Sequence, residues 1–280
     1  MSVYKNIVIT GGTKGIGRFL AEEFLKQGSS VVVCSRSDSD VTHALEELSS
    51  FKGKVFGIKV DVTVVDDVRK LVAFSLQSLG SVDVLINTAG VIGEVGDFGG
   101  CDISKWKEAV LVNLFGTVQV THAFLPYMKE RSFGVVINFA GAGVGSKKPL
   151  VNMSSYYTSK TAVVGFTEVV AKELEDSSIR INCVAPGAIN TAITDYIINQ
   201  GREKVGADMY DRTVKQKEEG GDSKEKIFSL VSFLAGDESK GVSGRFISSK
   251  WDSLQMLKGV TENSNLFALR RIDNELFYEK

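Results

Sequence analysis

Six short apolar runs rich in β-branched residues recur along this chain, and helix-patterned stretches separate them. This alternation restricts the fold more than any other property of the sequence. The runs cover residues 6–10, 30–34, 54–60, 82–87, 134–139 and 179–184. Most are continuously apolar rather than alternating, as strands buried on both faces of a parallel sheet are. The intervening stretch 16–27 places Ile16, Phe19, Leu20, Phe24 and Leu25 at helical spacing, and residues 41–48, 65–79, 105–128 and 155–174 read as further helices. Strand–helix alternation predicts an α/β fold with a doubly wound sheet, and right-handed crossovers put helices on both of its faces. With residues 244–248 as a last strand, the expectation is a single Rossmann-type domain with a mostly parallel seven-stranded sheet.

That domain is expected to span residues 1–250, within the size range of one α/β unit. The stretch 191–226 is polar, charged and helix-like, and reads as an excursion covering a site. Residues 227–234 read as a covering helix, and 251–280, with Trp251 and Phe277, as an extension of the same domain that covers an edge or enters a subunit contact.

Several function classes are disfavoured. A net charge of −1 offers no footprint for nucleic acid. No apolar run in the sequence approaches the ~20 residues of a membrane helix, and residues 1–6 lead directly into a strand, leaving no room for a signal peptide. Cys34, Cys101 and Cys183 are odd in number and scattered, unlike a disulfide framework or zinc site. A reducing, cytoplasmic setting is the expectation. With only His43 and His122, a multi-histidine metal site or a Ser-His-Asp triad is a poor fit.

The first strand runs straight into Thr10-Gly11-Gly12-Thr13-Lys14-Gly15-Ile16-Gly17, where a helix begins. Glycines there let the backbone turn sharply and approach a pyrophosphate, and the helix N-terminus adds free N–H groups and a positive dipole end. The spacing is Gly-x-x-x-Gly-x-Gly. The second strand ends in Cys34-Ser35-Arg36-Ser37, where an NAD site would place an acid on the ribose 2′-hydroxyl. Arginine suits a 2′-phosphate instead, through paired charge-assisted hydrogen bonds, and Lys14 supplies a second cation. NADP(H) is therefore favoured over NAD(H); the alternative is that Arg36 is only a solvated strand-end charge.

Tyr156-Tyr157-Thr158-Ser159-Lys160 puts a phenol and an ammonium one helical turn apart. A neighbouring ammonium favours the phenolate and lowers the phenol pKa from about 10, giving a usable acid/base. Tyr157, three residues before Lys160, competes with Tyr156 on spacing alone.

With this pair, the glycine loop and Asn87-Thr88-Ala89-Gly90 after the fourth strand, the chain resembles the classical short-chain dehydrogenase/reductase family over roughly residues 4–250. Asp61-Val62 resembles the family's adenine-contacting pair. Pro186-Gly187-Ala188-Ile189-Asn190-Thr191 resembles its segment around the nicotinamide carboxamide, with Ile189 and Thr191 in contact. The resemblance implies a catalytic Asn-Ser-Tyr-Lys group. Asn113 matches the Asn, whose side chain helps hold a relay water; Tyr156 matches the acid/base; Lys160 matches the residue that binds the nicotinamide ribose and lowers the tyrosine pKa. It also implies a small carbonyl or alcohol substrate, and a homodimer or homotetramer built on the two long helices.

The serine is the departure. Ala140 and Gly141 in Ile137-Asn138-Phe139-Ala140-Gly141-Ala142-Gly143 occupy the expected positions. Ser146 could swing in, or a backbone N–H of the glycine-rich turn could replace the hydroxyl. Ser154 and Ser155 are expected to cap the helix that follows. The missing hydroxyl motivates an alternative, an NADP(H)-binding regulatory or scaffold protein without turnover; an epimerase or dehydratase on the same scaffold is a further option.

Overall fold

The computed structural model describes residues 5–146, 150–258 and 267–268. Its sheet has seven strands: β1 (Asn6–Thr10), β2 (Ser30–Ser35), β3 (Lys54–Lys59), β4 (Val84–Asn87), β5 (Gly134–Phe139), β6 (Ile179–Ala185) and β7 (Phe246–Ser248). They lie in the order β3-β2-β1-β4-β5-β6-β7, and every pair is parallel. The sheet is thus wholly rather than mostly parallel. The chain steps outward from β1 to β3, then returns to β4 on the other side of β1. That reversal opens a crevice at the carboxyl ends of the central strands.

Side-chain alternation along β1 shows how the two faces are filled. Ile7 and Ile9 join a core with Leu20 and Phe24 of α1 (Gly15–Lys26) and Leu230 of α10 (Lys224–Ala235). Val8 points to the opposite core, with Leu71 of α3 (Val65–Leu79) and Phe124 of α5 (Thr117–Glu130). Continuously apolar strands are therefore a consequence of helices on both sides. An edge-on contact between Phe24 and Phe228, with centroids 5.1 Å apart, locks α1 to α10.

Two helical stretches differ from expectation. Residues 105–128 read as one helix, but the structure has α4 (Ile103–Val110), a π-helical segment (Leu111–Gly116) and then α5. Ile103–Glu130 is long and apolar enough to cross a membrane by length and composition, unlike the reading of the sequence; here Val112, Val120, Phe124 and Met128 pack it against the sheet. The π segment carries Asn113, and single-turn π-bulges often mark functional sites.

The second difference is at α6 (Ser154–Glu173). Met153 occupies its N-cap position and makes no side-chain cap bond. Ser154 instead accepts from Trp106 Nε1 at 3.0 Å, and Ser155, fully buried, turns its hydroxyl to Ile92 O. Both serines tie α6 to neighbouring elements rather than capping it.

The excursion folds into α7 (Ala192–Asn199), α8 (Arg202–Val205) and α9 (Ala207–Glu219). Asn190 anchors it: its Nδ2 donates to Gln216 O, and its Oδ1 accepts from Gln216 Nε2 at 3.1 Å. Beyond β7, Asp252 Oδ2 accepts from Ser248 N at 2.7 Å and closes the strand end, while Trp251 is 78% exposed. Phe277 lies outside the described residues.

Candidate active site

A cavity of about 340 Å³ sits in the crevice. Glycines shape its floor through close approach. A Cβ on Gly17 would fall 2.4 Å from Thr88 Oγ1 and 2.6 Å from Gly11 O, so the loop and the β4 end touch only because that carbon is absent. Gly15 has a left-handed φ of +56°, and a Cβ there would meet only Thr191, at 3.4 Å or more, on the cavity side. The N-cap residue Lys14 makes no side-chain cap bond. The first turn of α1 therefore presents its amides to the cavity with a positive dipole end, a donor set that fits a pyrophosphate. The residues present thus fit a dinucleotide cofactor.

Gly11, Thr13, Lys14, Gly15, Ile16, Gly17, Ser35, Arg36, Val62, Ala89, Gly90, Tyr156, Lys160, Pro186 and Thr191 all line this cavity. At its β2 end, Arg36 lies 3.5 Å from Glu108 and Lys14 is paired with Asp40 at 2.8 Å; both cations are more than half exposed. Ser35 Oγ accepts from Ser37 N at the entry to α2 (Asp38–Leu48).

Other sequence candidates lie outside the lining. Asp61 Oδ1 accepts from Thr63 N and Oγ1, forming a turn. Asn87 is buried, and its Nδ2 donates to Thr121 Oγ1 and Asn138 Oδ1, tying β4 to α5 and β5. Ile189 is in the core under the sheet. Gly187 packs against Asp222, whose Oδ2 accepts from Ala188 N at 2.7 Å. Thr191, by contrast a lining residue, has its Oγ1 engaged in a capping box that starts α7.

Tyr156 and Lys160 are both buried, at 8% and 5% exposure, and face the cavity from one side of α6. Tyr157 is not among the lining residues; it lies near Gly143. Lys160 Nζ donates to Phe139 O at 3.0 Å. A Cβ on Gly90 would fall 3.3 Å from Nζ and 3.1 Å from Asn113 Oδ1, so Gly90 leaves room for both groups. Asn113 is fully buried. Its Oδ1 accepts from Val91 N at 2.8 Å, and its Nδ2 donates to Val91 O at 2.9 Å and Ser159 Oγ at 3.0 Å. The Asn113 side chain thus clamps the β4 loop to α6. Ser146 is exposed, and its hydroxyl donates to Gly143 O at 2.7 Å; it does not line the cavity.

The electrostatics reverse one expectation. Burial pushes the Tyr156 phenol up to about 12, with the nearby Ala142 backbone N–H acting against it. Burial draws Lys160 down to about 8. Desolvation penalises whichever form is charged. The ammonium is directed at Phe139 O rather than the phenol, so in the cofactor-free protein burial decides the phenol's position.

A family model for short chain dehydrogenases matches residues 5–201. The chain belongs to the short-chain dehydrogenase family. The Homo sapiens protein named dehydrogenase/reductase SDR family member 2, mitochondrial, is 32% identical over 241 residues, covering 86% of this chain and 83% of its own length. The 3-oxoacyl-(acyl-carrier-protein) reductase of Thermotoga maritima is 30% identical over 243 residues, covering 87% and 95%. Among solved structures, actinorhodin polyketide ketoreductase with NADPH superposes with a TM-score of 0.78 at 28% identity, covering 88% of this chain and 97% of its own. NAD⁺-bound xylitol dehydrogenase reaches 0.79 at 22% identity, covering 88% and 98%, a likeness of fold alone.

This short-chain dehydrogenase also lines its cavity with Ala140, one of the two residues at the expected serine position, and with Cys34, Val60, Thr88, Val91, Val112, Phe139, Ala192 and Ile193, which the sequence did not mark as site residues. Thr88 carried a signal, since it stands inside Asn87-Thr88-Ala89-Gly90; its Oγ1 donates to Thr10 O at 2.5 Å and joins the ends of β1 and β4. The apolar residues carried none, because they look like any strand-end core residue.

Proposed function

We propose that this short-chain dehydrogenase interconverts a carbonyl and an alcohol with NADP(H), Tyr156 serving as acid/base and Lys160 and Asn113 positioning it. One observation carries the reading. Two buried titratable side chains on one turn of α6 open onto the same cavity as a phosphate-type glycine loop.

When bound, the nicotinamide nucleotide supplies or accepts the hydride. The protein's own groups do the rest. The first turn of α1 holds the pyrophosphate. Arg36 and Lys14 meet a 2′-phosphate, exchanging their surface partners Glu108 and Asp40 for a stronger anion. Lys160 holds the nicotinamide ribose from inside the cavity. Tyr156, protonated at neutral pH, gives its Oη proton to the carbonyl oxygen as the alcohol forms, and takes it back in the reverse direction. Oxidation needs the phenolate, so positive charge brought beside Tyr156 must offset the burial that favours the phenol. Asn113 keeps the Val91 backbone and the Ser159 turn of α6 in register.

Ile92, Val95, Met153, Ile197 and Val205 cluster around Tyr156, with Leu150, Met209 and Tyr210 against them. That apolar surround supports a substrate with a hydrophobic body next to its carbonyl. Leu111, Phe115, Tyr127 and Val169 are exposed on the two long helical stretches, which supports a homodimer or homotetramer formed there. The three free cysteines support a cytoplasmic setting.

The test is Tyr156→Phe. Loss of one acid/base is expected to lower NADPH-dependent turnover about 100-fold or more while nucleotide binding persists. Full turnover by the variant would remove Tyr156 from the mechanism. Tight NADPH binding by the unaltered protein, with no turnover across a broad carbonyl and alcohol panel, would make it a binding protein.

A further inference from the structure

The covering helices α7, α8 and α9 leave and rejoin the domain at one place, where Ala188 meets Asp222. Asp222 Oδ2 accepts from Ala188 N at 2.7 Å, and Asp222 N donates to Ala188 O at 2.8 Å. One residue thus holds both backbone groups of Ala188. A glycine on each side permits the approach. Gly187 has a φ of +81°, and a Cβ there would fall 2.7 Å from Asp222 Oδ2. Gly221 has a φ of +73°, and a Cβ there would fall 2.7 Å from Ala188 O. Left-handed backbone already favours glycine at both positions, and these distances leave no room for a side chain. The same short segment is gripped from beyond β7. Ser249 Oγ donates to Pro186 O at 2.9 Å, and Lys250 Nζ pairs with Asp222 Oδ1 at 2.8 Å.

Pro186 and Thr191, on either side of this clasp, line the cavity, and Asn190 between them is bonded to Gln216 of α9. Asp222 is not among the lining residues. We infer that Asp222 is a positioning residue of this site: by holding Ala188 it fixes Pro186 and Thr191 in the cavity wall and makes that wall and its helical cover a single piece. The inference rests on the functional reading above for what the cavity receives, though not for its geometry. A carboxylate suits the place because its two oxygens serve two donors, the Ala188 amide and the Lys250 ammonium. The two contacts are unequal. The Lys250 side chain is 38% exposed, so water screens the ion pair and it contributes little. The bond to the amide is charge-assisted and joins segments distant in the chain. An asparagine at position 222 would keep the bond to the amide through its carbonyl oxygen and lose the ion pair.

Two measurements on the full chain test this. In the cofactor-free protein, amide hydrogen exchange is followed by mass spectrometry on peptides covering residues 186–191. Asp222→Ala should speed exchange there about tenfold or more, the worth of one hydrogen bond to a charged group, while β1 and β4 keep their protection. Asp222→Asn should restore most of the protection. Next, NADPH affinity is measured by titration. It should weaken about tenfold for Asp222→Ala and stay within about threefold of the unaltered protein for Asp222→Asn. A merely structural role would lower the melting temperature of Asp222→Ala but leave exchange at 186–191 and the NADPH affinity of the folded protein unchanged; that result overturns the inference. An Asp222→Asn variant as impaired as Asp222→Ala in both measurements also overturns it. If exchange and affinity respond as expected while the unaltered protein turns over no carbonyl or alcohol, the functional reading fails and the role of Asp222 stands.

Discussion

Lys160 Nζ donates a 3.0 Å hydrogen bond to the carbonyl oxygen of Phe139, the last residue of β5. This bond fastens α6 to the strand that ends beside it and keeps an ammonium inside the protein, at 5% exposure. Few soluble folds bury a lysine without a carboxylate partner. The cost shows in its titration, drawn from 10.5 down to about 8 by burial.

That shift fixes the sign of a pH effect. Below pH 8 both folded and unfolded states carry the proton, and folding bears the full cost of the buried charge. As pH rises from 8 towards 10.5, the folded state sheds its proton first and the cost is relieved, so this contribution to stability rises with pH. Lys160→Met is therefore expected to be more stable than the unaltered protein at pH 7. Its advantage should shrink by about 2 kcal/mol between pH 7 and 9.5. Urea unfolding at both pH values is the check; parallel curves would contradict it. Tyr156 does not interfere below pH 10, since its own contribution is lost only between 10 and about 12.

Asn113→Ala removes three hydrogen bonds at once and leaves both Val91 backbone groups without their partner. Stranding buried polar groups costs about 1–3 kcal/mol each when nothing replaces the bond. We expect a loss of about 2–4 kcal/mol in chemical denaturation. A loss below about 0.5 kcal/mol would show that Asn113 is not a clamp.

Gly17→Ala tests the loop without any cofactor. The new methyl would fall 2.4 Å from Thr88 Oγ1 and 2.6 Å from a backbone oxygen, so the loop or the β4 end must move. Overpacking of this kind costs about 1–3 kcal/mol. Melting of the nucleotide-free protein should show the loss, and titration should show weakened NADPH binding. Normal stability with normal binding would mean the approach is not needed.

Arg36→Ala addresses cofactor choice. If the guanidinium meets a 2′-phosphate, NADPH binding should weaken about tenfold or more, the worth of one charged hydrogen bond, while NADH binding stays within about twofold. Calorimetric titration of both nucleotides separates this from a surface role for Arg36, in which the two affinities would change together or not at all.

The sheet was legible from the sequence because its strands advertise themselves locally. β1 and β5 have the expected bounds, Asn6–Thr10 and Gly134–Phe139, as does α3, Val65–Leu79. Continuous β-branched runs bounded by helix patterns leave few alternatives once parallel strands and right-handed crossovers are required. The membership of Gly17, Arg36, Tyr156 and Lys160 in one site was legible for a related reason: each stands at the carboxyl end of a strand or on the helix beside it, and the topology gathers those ends into one crevice.

What stayed hidden depends on contacts between residues distant in the chain. A helical pattern at 105–128 does not announce a π segment at Leu111–Gly116, because the same residues satisfy either hydrogen-bond spacing until Val91 and Ser159 engage Asn113. Residue spacing placed Lys160 beside Tyr156, but only the packed structure sends its ammonium to Phe139 O and lets burial raise the phenol to about 12. From sequence, Gly141 was a missing hydroxyl. In the structure it is space the phenol uses, since a Cβ there would lie 2.6 Å from Tyr156 Oη. Local pattern determined the sheet, the glycine loop and the helical pairing of a phenol with an ammonium, since those follow from periodicity and backbone geometry. Tertiary packing decided the charge states and hydrogen-bond partners, since desolvation and donor direction exist only once remote segments close around them.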